Sequence, residues 1–226
     1  MKYKWLFFDL DNTLMDFDQS AKMALKKSFE DFDIPYKTTY IQQYYQVNKK
    51  CWEAFEKKKF TAQQIREERF TIFLNKIGME RDGIKMGRIY LNHLGSFHYM
   101  LEGAYPLLDE LRMSHQLVAV TNGLKEVQRP RLKAAQLYPY FESIVISDEI
   151  GVSKPHSGFF DFAFEQVGHP NKKDVLMIGD SLSSDILGGH NYGLDTCWYN
   201  PKNITNTKDI EPTYEVSVLN DLLQIV

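Results

Sequence analysis

Few arrangements suit the stretch Trp5-Leu-Phe-Phe-Asp9-Leu-Asp11-Asn-Thr13-Leu14. Its four leading apolar residues show no polar alternation, so they fit a strand covered on both faces of a parallel sheet better than a half-exposed one. Asp9 then stands at the carboxyl end of that strand, where ligands bind in open α/β sheets. In extended backbone Asp9 and Asp11 point the same way and Leu10 points opposite. Two carboxylates ~4 Å apart repel by roughly 4 kcal/mol at an effective dielectric of about 20 unless a cation or a shared proton intervenes. A hard divalent ion held by oxygens, such as Mg2+, meets that need. Taken alone, the stretch also fits an Asp-Asn turn behind a buried strand, with Asp11 capping a helix.

Three further apolar runs end in polar residues of complementary chemistry. Leu117-Val-Ala-Val120 leads into Thr121-Asn122-Gly123, Ile144-Val-Ile146 precedes a loop reaching Lys154-Pro155, and Val175-Leu-Met-Ile178 leads into Gly179-Asp180, with Asp185 shortly after. A hydroxyl, a lysine and more carboxylates are thus expected at strand ends. Singly, Lys154 reads as a surface lysine before a proline and Asp180 as a helix cap. In this order, and across nearly the whole chain, the set resembles the four motifs of the haloacid dehalogenase superfamily. The start at Asp9, the stretch Ile150-Gly-Val-Ser-Lys-Pro-His156 and the run Gly179-Asp-Ser-Leu-Ser-Ser-Asp185-Ile-Leu-Gly-Gly189 are similar to the pyrimidine 5'-nucleotidase branch of that superfamily.

The resemblance implies an α/β fold, a doubly wound parallel-sheet (Rossmann-like) core with a helical cap inserted after the first strand. The sequence pattern is compatible with it. From about Asp16 to Tyr99 no buried strand is evident, whereas apolar residues recur at helical spacing, as in Ala21, Leu25, Phe29 and Phe32. Thr61-Ala-Gln-Gln64 fits a capping box opening one helix that carries Ile65, Phe70, Phe73, Leu74 and Ile77 to Gly78. A further helix is predicted from Gly83 to Leu94. From Gly103 onward helices and strands alternate, with a last short strand at Thr196 to Tyr199. Pro130 falls inside the helix expected after Thr121, which predicts a kink or a late start there. The expected domains are a core of residues 1–15 and 100–226 and a cap of residues 16–99, expected to act as a mobile lid with Gly95 and Gly103 absorbing the rotation. Within the cap, Tyr44, Tyr45, Trp52 and Phe55 suit a base-stacking surface, but their helical spacing favours cap core.

Charge and composition exclude several functions. With 27 basic and 30 acidic residues among 226, a net charge of −3 and no long Lys/Arg run, duplex nucleic acid is not an expected partner. The cluster Lys57-Lys-Lys59 reads as a solvated face. No apolar stretch approaches the ~20 residues of a membrane span, and Met1-Lys-Tyr-Lys runs straight into the first strand, so no membrane association and a cytoplasmic location are expected. Cys51 and Cys197 lack metal-ligand spacing and read as reduced thiols.

The chemistry expected is hydrolysis of a small phosphate monoester, among the slowest uncatalysed reactions. Asp9 is the candidate nucleophile, forming an aspartyl-phosphate, and Asp11 the candidate acid and base. Thr121, Asn122 and Lys154 are the candidate phosphate-binding residues. The expected cofactor is Mg2+, held by Asp9 and Asp180 through carboxylates and Asp11 through its carbonyl, with Asp185 a ligand or an outer orienter. The expected substrate is a small phosphorylated metabolite, a pyrimidine nucleoside monophosphate in the narrower resemblance, and the expected assembly a monomer or weak homo-oligomer. Sugar-phosphate or phosphoglycolate-type phosphatase, phosphomutase and a non-catalytic binding protein of the same fold stand as alternatives. Dehalogenation is disfavoured, because that branch lacks a carboxylate at the second position, where this chain has Asp11.

Overall fold

The computed structural model describes residues 2–206 and 209–226. Six strands, β1 (Trp5–Phe8), β2 (Gln116–Thr121), β3 (Ser143–Ile146), β4 (Val175–Gly179), β5 (Asp195–Tyr199) and β6 (Tyr214–Val216), form one sheet in the order β3-β2-β1-β4-β5-β6. Every neighbouring pair is parallel. The apolar run of β1 is explained by its central position. Leu6 and Phe8 join one buried cluster with Leu117, Ala119, Leu176 and Ile178, while Phe7 joins a second with Val118, Val120, Val175 and Met177. Successive side chains point to opposite faces, so a strand with a core on each side has no position for a polar residue.

Among the described residues there are ten α-helices: α1 (Phe17–Asp31), α2 (Thr38–Glu56), α3 (Ala62–Glu67), α4 (Arg69–Lys76), α5 (Gly83–Ser96), α6 (Ala104–Leu111), α7 (Lys125–Ala134), α8 (Ser147–Ile150), α9 (Ser157–Gln166) and α10 (Leu187–Tyr192). Leu107, Leu108 and Leu111 of α6 pack in the first cluster, and Phe159, Phe160, Ala163 and Phe164 of α9 in the second, so the sheet is covered on both faces. The chain moves outward from β1 through β2 to β3, then returns to β4 and moves the other way. That reversal puts the topological switch point between β1 and β4.

Contacts divide the chain into two compact units, one of Met1–Phe17, His98–Lys125 and Leu132–Val226, the other of Asp18–Phe97 with Glu126–Arg131. Within the first unit the chain leaves and re-enters at adjacent points. Met15 bridges Met100 in antiparallel fashion, Asp16 N donates to Tyr99 O at 2.9 Å and Leu101 N donates to Leu14 O at 2.9 Å.

The second unit is helical and centred on aromatic side chains. Tyr44 is fully buried, with ring centroids 5.0 Å from Phe70, 5.6 Å from Phe73 and 5.6 Å from Tyr90. Thr61 forms the predicted capping box with Gln64. The helix it opens ends at Glu67, and a second, α4, begins after a break at Glu68, where a single helix to Gly78 was expected. Close packing accompanies the break: a Cβ on Gly87 of α5 would lie 2.5 Å from Arg66 O, and one on Gly83 would strike the Thr71 backbone. Gly95 is also a packing glycine inside α5, its Cβ position 3.3 Å from Glu126 O, rather than a residue in a loop. Helix α7 starts at Lys125 and runs through Pro130, so no late start occurs. Strand β6 has no counterpart among the predicted strands. Both cysteines are free and buried, Lys57, Lys58 and Lys59 are exposed, and no helix among the described residues is long and apolar enough to cross a membrane.

Candidate active site

Asp9 follows β1 directly, and its N–H still donates to Ile178 O of β4 at 2.9 Å, which fixes it at the switch point. The chain then turns back sharply. Leu14 N and Met15 N both donate to Leu10 O, Asn12 takes a left-handed φ of 61°, which Asn tolerates better than most residues, and Thr13 is returned beneath Asp9. Thr13 Oγ1 donates to Asp9 Oδ2 at 3.2 Å. Asp11 forms a bridge with Met15 in this turn.

Lys154 arrives from the loop beyond β3 and is fully buried. Its Nζ donates to Asp9 Oδ1 at 2.8 Å and to Val120 O at 2.7 Å, and lies 2.7 Å from Asp185 Oδ1. An ammonium has three N–H groups, and all three are engaged. The main chain of Lys154 is held as firmly. Asn122 Oδ1 accepts from Lys154 N at 2.9 Å, and Asn122 Nδ2 donates to Lys154 O at 2.9 Å. Thr121 ends β2 as a buried residue whose Oγ1 accepts from Gly123 N at 3.1 Å.

Beyond β4, Asp180 and Asp185 are set by a single wide helical turn, Leu182–Ile186, in which Ile186 N reaches back to Ser181 O. Such turns of i→i+5 geometry are rare and concentrate at functional positions. Asp185 accepts from Ser181 N at 3.0 Å and from Ser184 Oγ at 3.3 Å, while the Trp198 indole donates to Asp180 O at 2.8 Å. Residue 179 must be glycine, because a Cβ there would occupy the place of the Asp185 carboxylate.

Carboxylate oxygens of Asp9, Asp180 and Asp185 all lie within 4.8 Å of one another. Three acids therefore face one ammonium. Burial pushes the Asp9 carboxyl up to about 7; the Lys154 charge opposes that rise, and the charges of Asp185 and Asp11 add to it. Burial, then the charges of Asp9 and Asp185, raise Asp180 well above the carboxylate range. For Lys154, burial acts to lower the pKa, but Asp185 and Asp9 outweigh it and hold the ammonium above its ordinary value. An all-oxygen donor set with excess negative charge is the chemistry of a site for a hard divalent cation, so the residues fit one.

A family model described as haloacid dehalogenase-like hydrolase matches residues 3–193. The chain belongs to this family. Among haloacid dehalogenase-like relatives, the pyrimidine 5'-nucleotidase PynA of Streptococcus pneumoniae is 38% identical over 99% of this chain and 94% of its own length. The pyrimidine 5'-nucleotidase YjjG of Escherichia coli is 37% identical over 100% of this chain and 99% of its own. The crystal structure of YfnB from Bacillus subtilis, described as bound to magnesium and revealing interdomain movement, superposes with a TM-score of 0.94 at 37% identity, covering 100% of this chain and 99% of that one.

Of the residues singled out in the sequence, Asp9, Lys154, Asp180 and Asp185 form one cluster. The Asp11 carboxylate lies outside the three-acid set, although its charge is felt by Asp9 and Asp180. Asn122 is engaged with the Lys154 main chain. Thr13, Ser184 and Trp198 support the cluster and were not anticipated. The spacing of Thr13 four residues after Asp9 was the one available signal.

Proposed function

We propose that this haloacid dehalogenase-like hydrolase is a Mg2+-dependent phosphatase that works through an aspartyl-phosphate on Asp9, with pyrimidine nucleoside monophosphates as substrates. The observation that carries the reading is a buried carboxylate at the switch point, ion-paired with a buried lysine and grouped with two further carboxylates. An Asp9 oxygen attacks phosphorus, the P–O bond to the leaving group breaks, and Asp11 supplies the proton that the departing oxygen takes up. Asp11 then accepts a proton from the water that opens the aspartyl-phosphate, which releases inorganic phosphate and regenerates both residues. Lys154 neutralises part of the charge of nucleophile and phosphoryl group, and Thr121 binds a phosphate oxygen. Asn122 contributes by keeping Lys154 in place. Asp9 and Asp180 through their carboxylates and Asp11 through its carbonyl would hold Mg2+, with Asp185 beside them; the ion supplies positive charge to the phosphoryl oxygens.

The names of the two nucleotidase relatives support the substrate class. The inserted segment, residues 16–99, is read as the cap that selects the leaving group and controls water. The deciding assay is phosphate release from CMP, UMP, dTMP, AMP, ribose 5-phosphate and phosphoglycolate with and without Mg2+. Preference for the pyrimidine nucleotides, dependent on the metal, is expected. Preference for ribose 5-phosphate or phosphoglycolate overturns the nucleotide assignment, and no turnover of any ester overturns the phosphatase.

A further inference from the structure

The peptide group joining Asp180 to Ser181 is gripped at both ends. Its carbonyl, Asp180 O, accepts from the Trp198 indole at 2.8 Å, and its N–H, on Ser181, donates to Asp185 Oδ2 at 3.0 Å. A peptide unit is planar and turns as one body, so the two bonds together fix how Asp180 leaves β4. The ladder does not supply this hold, because its last pair is Gly179 with Trp198 and Asp180 lies one residue beyond. Cys197 and Tyr199 of β5 pack in the first buried cluster, so Trp198 points to the opposite face of the strand. It is only 3% exposed, and an indole N–H is a donor only, so a buried one calls for an acceptor. The other bond of the same peptide ends on Asp185, whose Oδ1 lies 2.7 Å from Lys154 Nζ. One N–H on β5 therefore bears, through a single peptide, on two of the three carboxylates grouped within 4.8 Å.

We propose that Trp198 is a positioning residue for the divalent cation: by holding the Asp180–Ser181 peptide, its indole N–H keeps the Asp180 and Asp185 carboxylates turned toward Asp9. The inference rests on the metal-dependent reading above and adds to it a residue that offers the ion no ligand atom. Partners that orient ligating carboxylates from outside change metal affinity by about 10- to 100-fold. Without the N–H the peptide is free to rotate, and the carboxylates must be reordered each time the ion binds. The loss then falls on ion affinity, and a saturating concentration of the ion restores the chemical step. A phenyl ring at this position fills much of the same space without the donor, which separates the hydrogen bond from the packing.

The measurement is calorimetry of Mg2+ alone, with no ester present, on the wild type, Trp198→Phe and Trp198→benzothienylalanine, in which sulfur replaces the N–H and the shape is kept. A dissociation constant higher by roughly 10- to 100-fold in both variants is expected. Wild-type affinity in the sulfur variant shows that the ring and not its N–H matters, which overturns the inference; the same variant decides the question should Trp198→Phe fail to fold. A lower Tm with an unchanged Mg2+ dissociation constant in Trp198→Phe marks a merely structural tryptophan and likewise overturns it. With CMP present, the Mg2+ concentration giving half-maximal turnover should rise in parallel while kcat at saturating Mg2+ stays within about twofold of the wild type. A fall in kcat that saturating ion does not restore overturns the assignment to ion binding. A wild type that binds Mg2+ but hydrolyses no ester removes the phosphatase reading, and the affinity comparison still decides the role of Trp198. A wild type that binds no Mg2+ removes both.

Discussion

Replacing Lys154 by Met removes a charge while keeping a long, unbranched side chain, and the consequence follows from the three bonds of its Nζ. The ammonium touches Asp9 Oδ1 at 2.8 Å, Asp185 Oδ1 at 2.7 Å and Val120 O at 2.7 Å, all in the interior. Deleting one partner of a buried ion pair costs about 3–5 kcal/mol, because the other charge stays buried. At about 2–4 °C per kcal/mol for a chain of this size, Tm falls by roughly 6–20 °C. Asp9 escapes part of that penalty by taking up a proton. Burial holds Asp9 at about 7 with Lys154 present, and without the lysine the carboxyl rises further, so the loss is larger above pH 7 than near pH 5, where Asp9 is neutral. Thermal unfolding followed by circular dichroism at pH 5 and pH 8, with and without Mg2+, tests this. The expected pattern is a large Tm loss at pH 8 that Mg2+ partly reverses. A loss that is equal at both pH values, or insensitive to the ion, would show that Lys154 is not balancing these acids.

Four other expectations follow. Asp9→Asn should lower turnover at least about 10³-fold without unfolding the chain, since the proposed nucleophile is gone and the shape kept. The folded-state Asp9 pKa is raised, so the stability it contributes is full below about 4 and is lost as pH rises through about 7; urea denaturation without divalent ions should show that decline in the wild type and a shallower one in Asp9→Asn. Gly179→Ala should drive a methyl group into the Asp185 carboxylate, costing about 1–3 kcal/mol of stability and at least about tenfold in Mg2+ affinity by calorimetry, and unchanged affinity would contradict the packing described. Asn122→Asp keeps an acceptor for Lys154 N but loses the donor to Lys154 O, so kcat should fall more than KM rises, and its effect should largely vanish when Lys154 is already Met; additive effects would place Asn122 on the phosphate instead.

The strands that build the site could be read from sequence because burial on both faces leaves an uninterrupted apolar run. The edge strand β6 carries no such mark: it is three residues long, and only Val216 of Tyr-Glu-Val is buried. In the helical unit the capping box at Thr61 is local chemistry and was readable, whereas the break at Glu68 goes with contacts made by glycines of a different helix. The same division runs through the site. Asp9, Lys154, Asp180 and Asp185 each lie beyond a strand end, so their meeting follows from topology. Trp198 depends on the register that sets it beside Gly179, and Thr13 on a turn through a left-handed Asn12, features that apolar patterning does not encode.

The stitched exit and return at Leu14–Asp16 and Tyr99–Leu101 bear on how such a chain can change over generations. Hydrogen bonds between the two crossings hold the ends of the inserted segment together, so the sheet experiences the insert as a closed bracket whatever lies inside. Doubling the length of a closed loop adds only about 0.6 kcal/mol of closure entropy. Insertions, deletions or wholesale replacement between those crossings therefore tax the frame little, provided the bracket itself survives. Recombination at this single location can exchange the inserted segment while the acids and the lysine of the sheet unit keep their frame, which makes the bracket a natural seam for change without rebuilding the cluster.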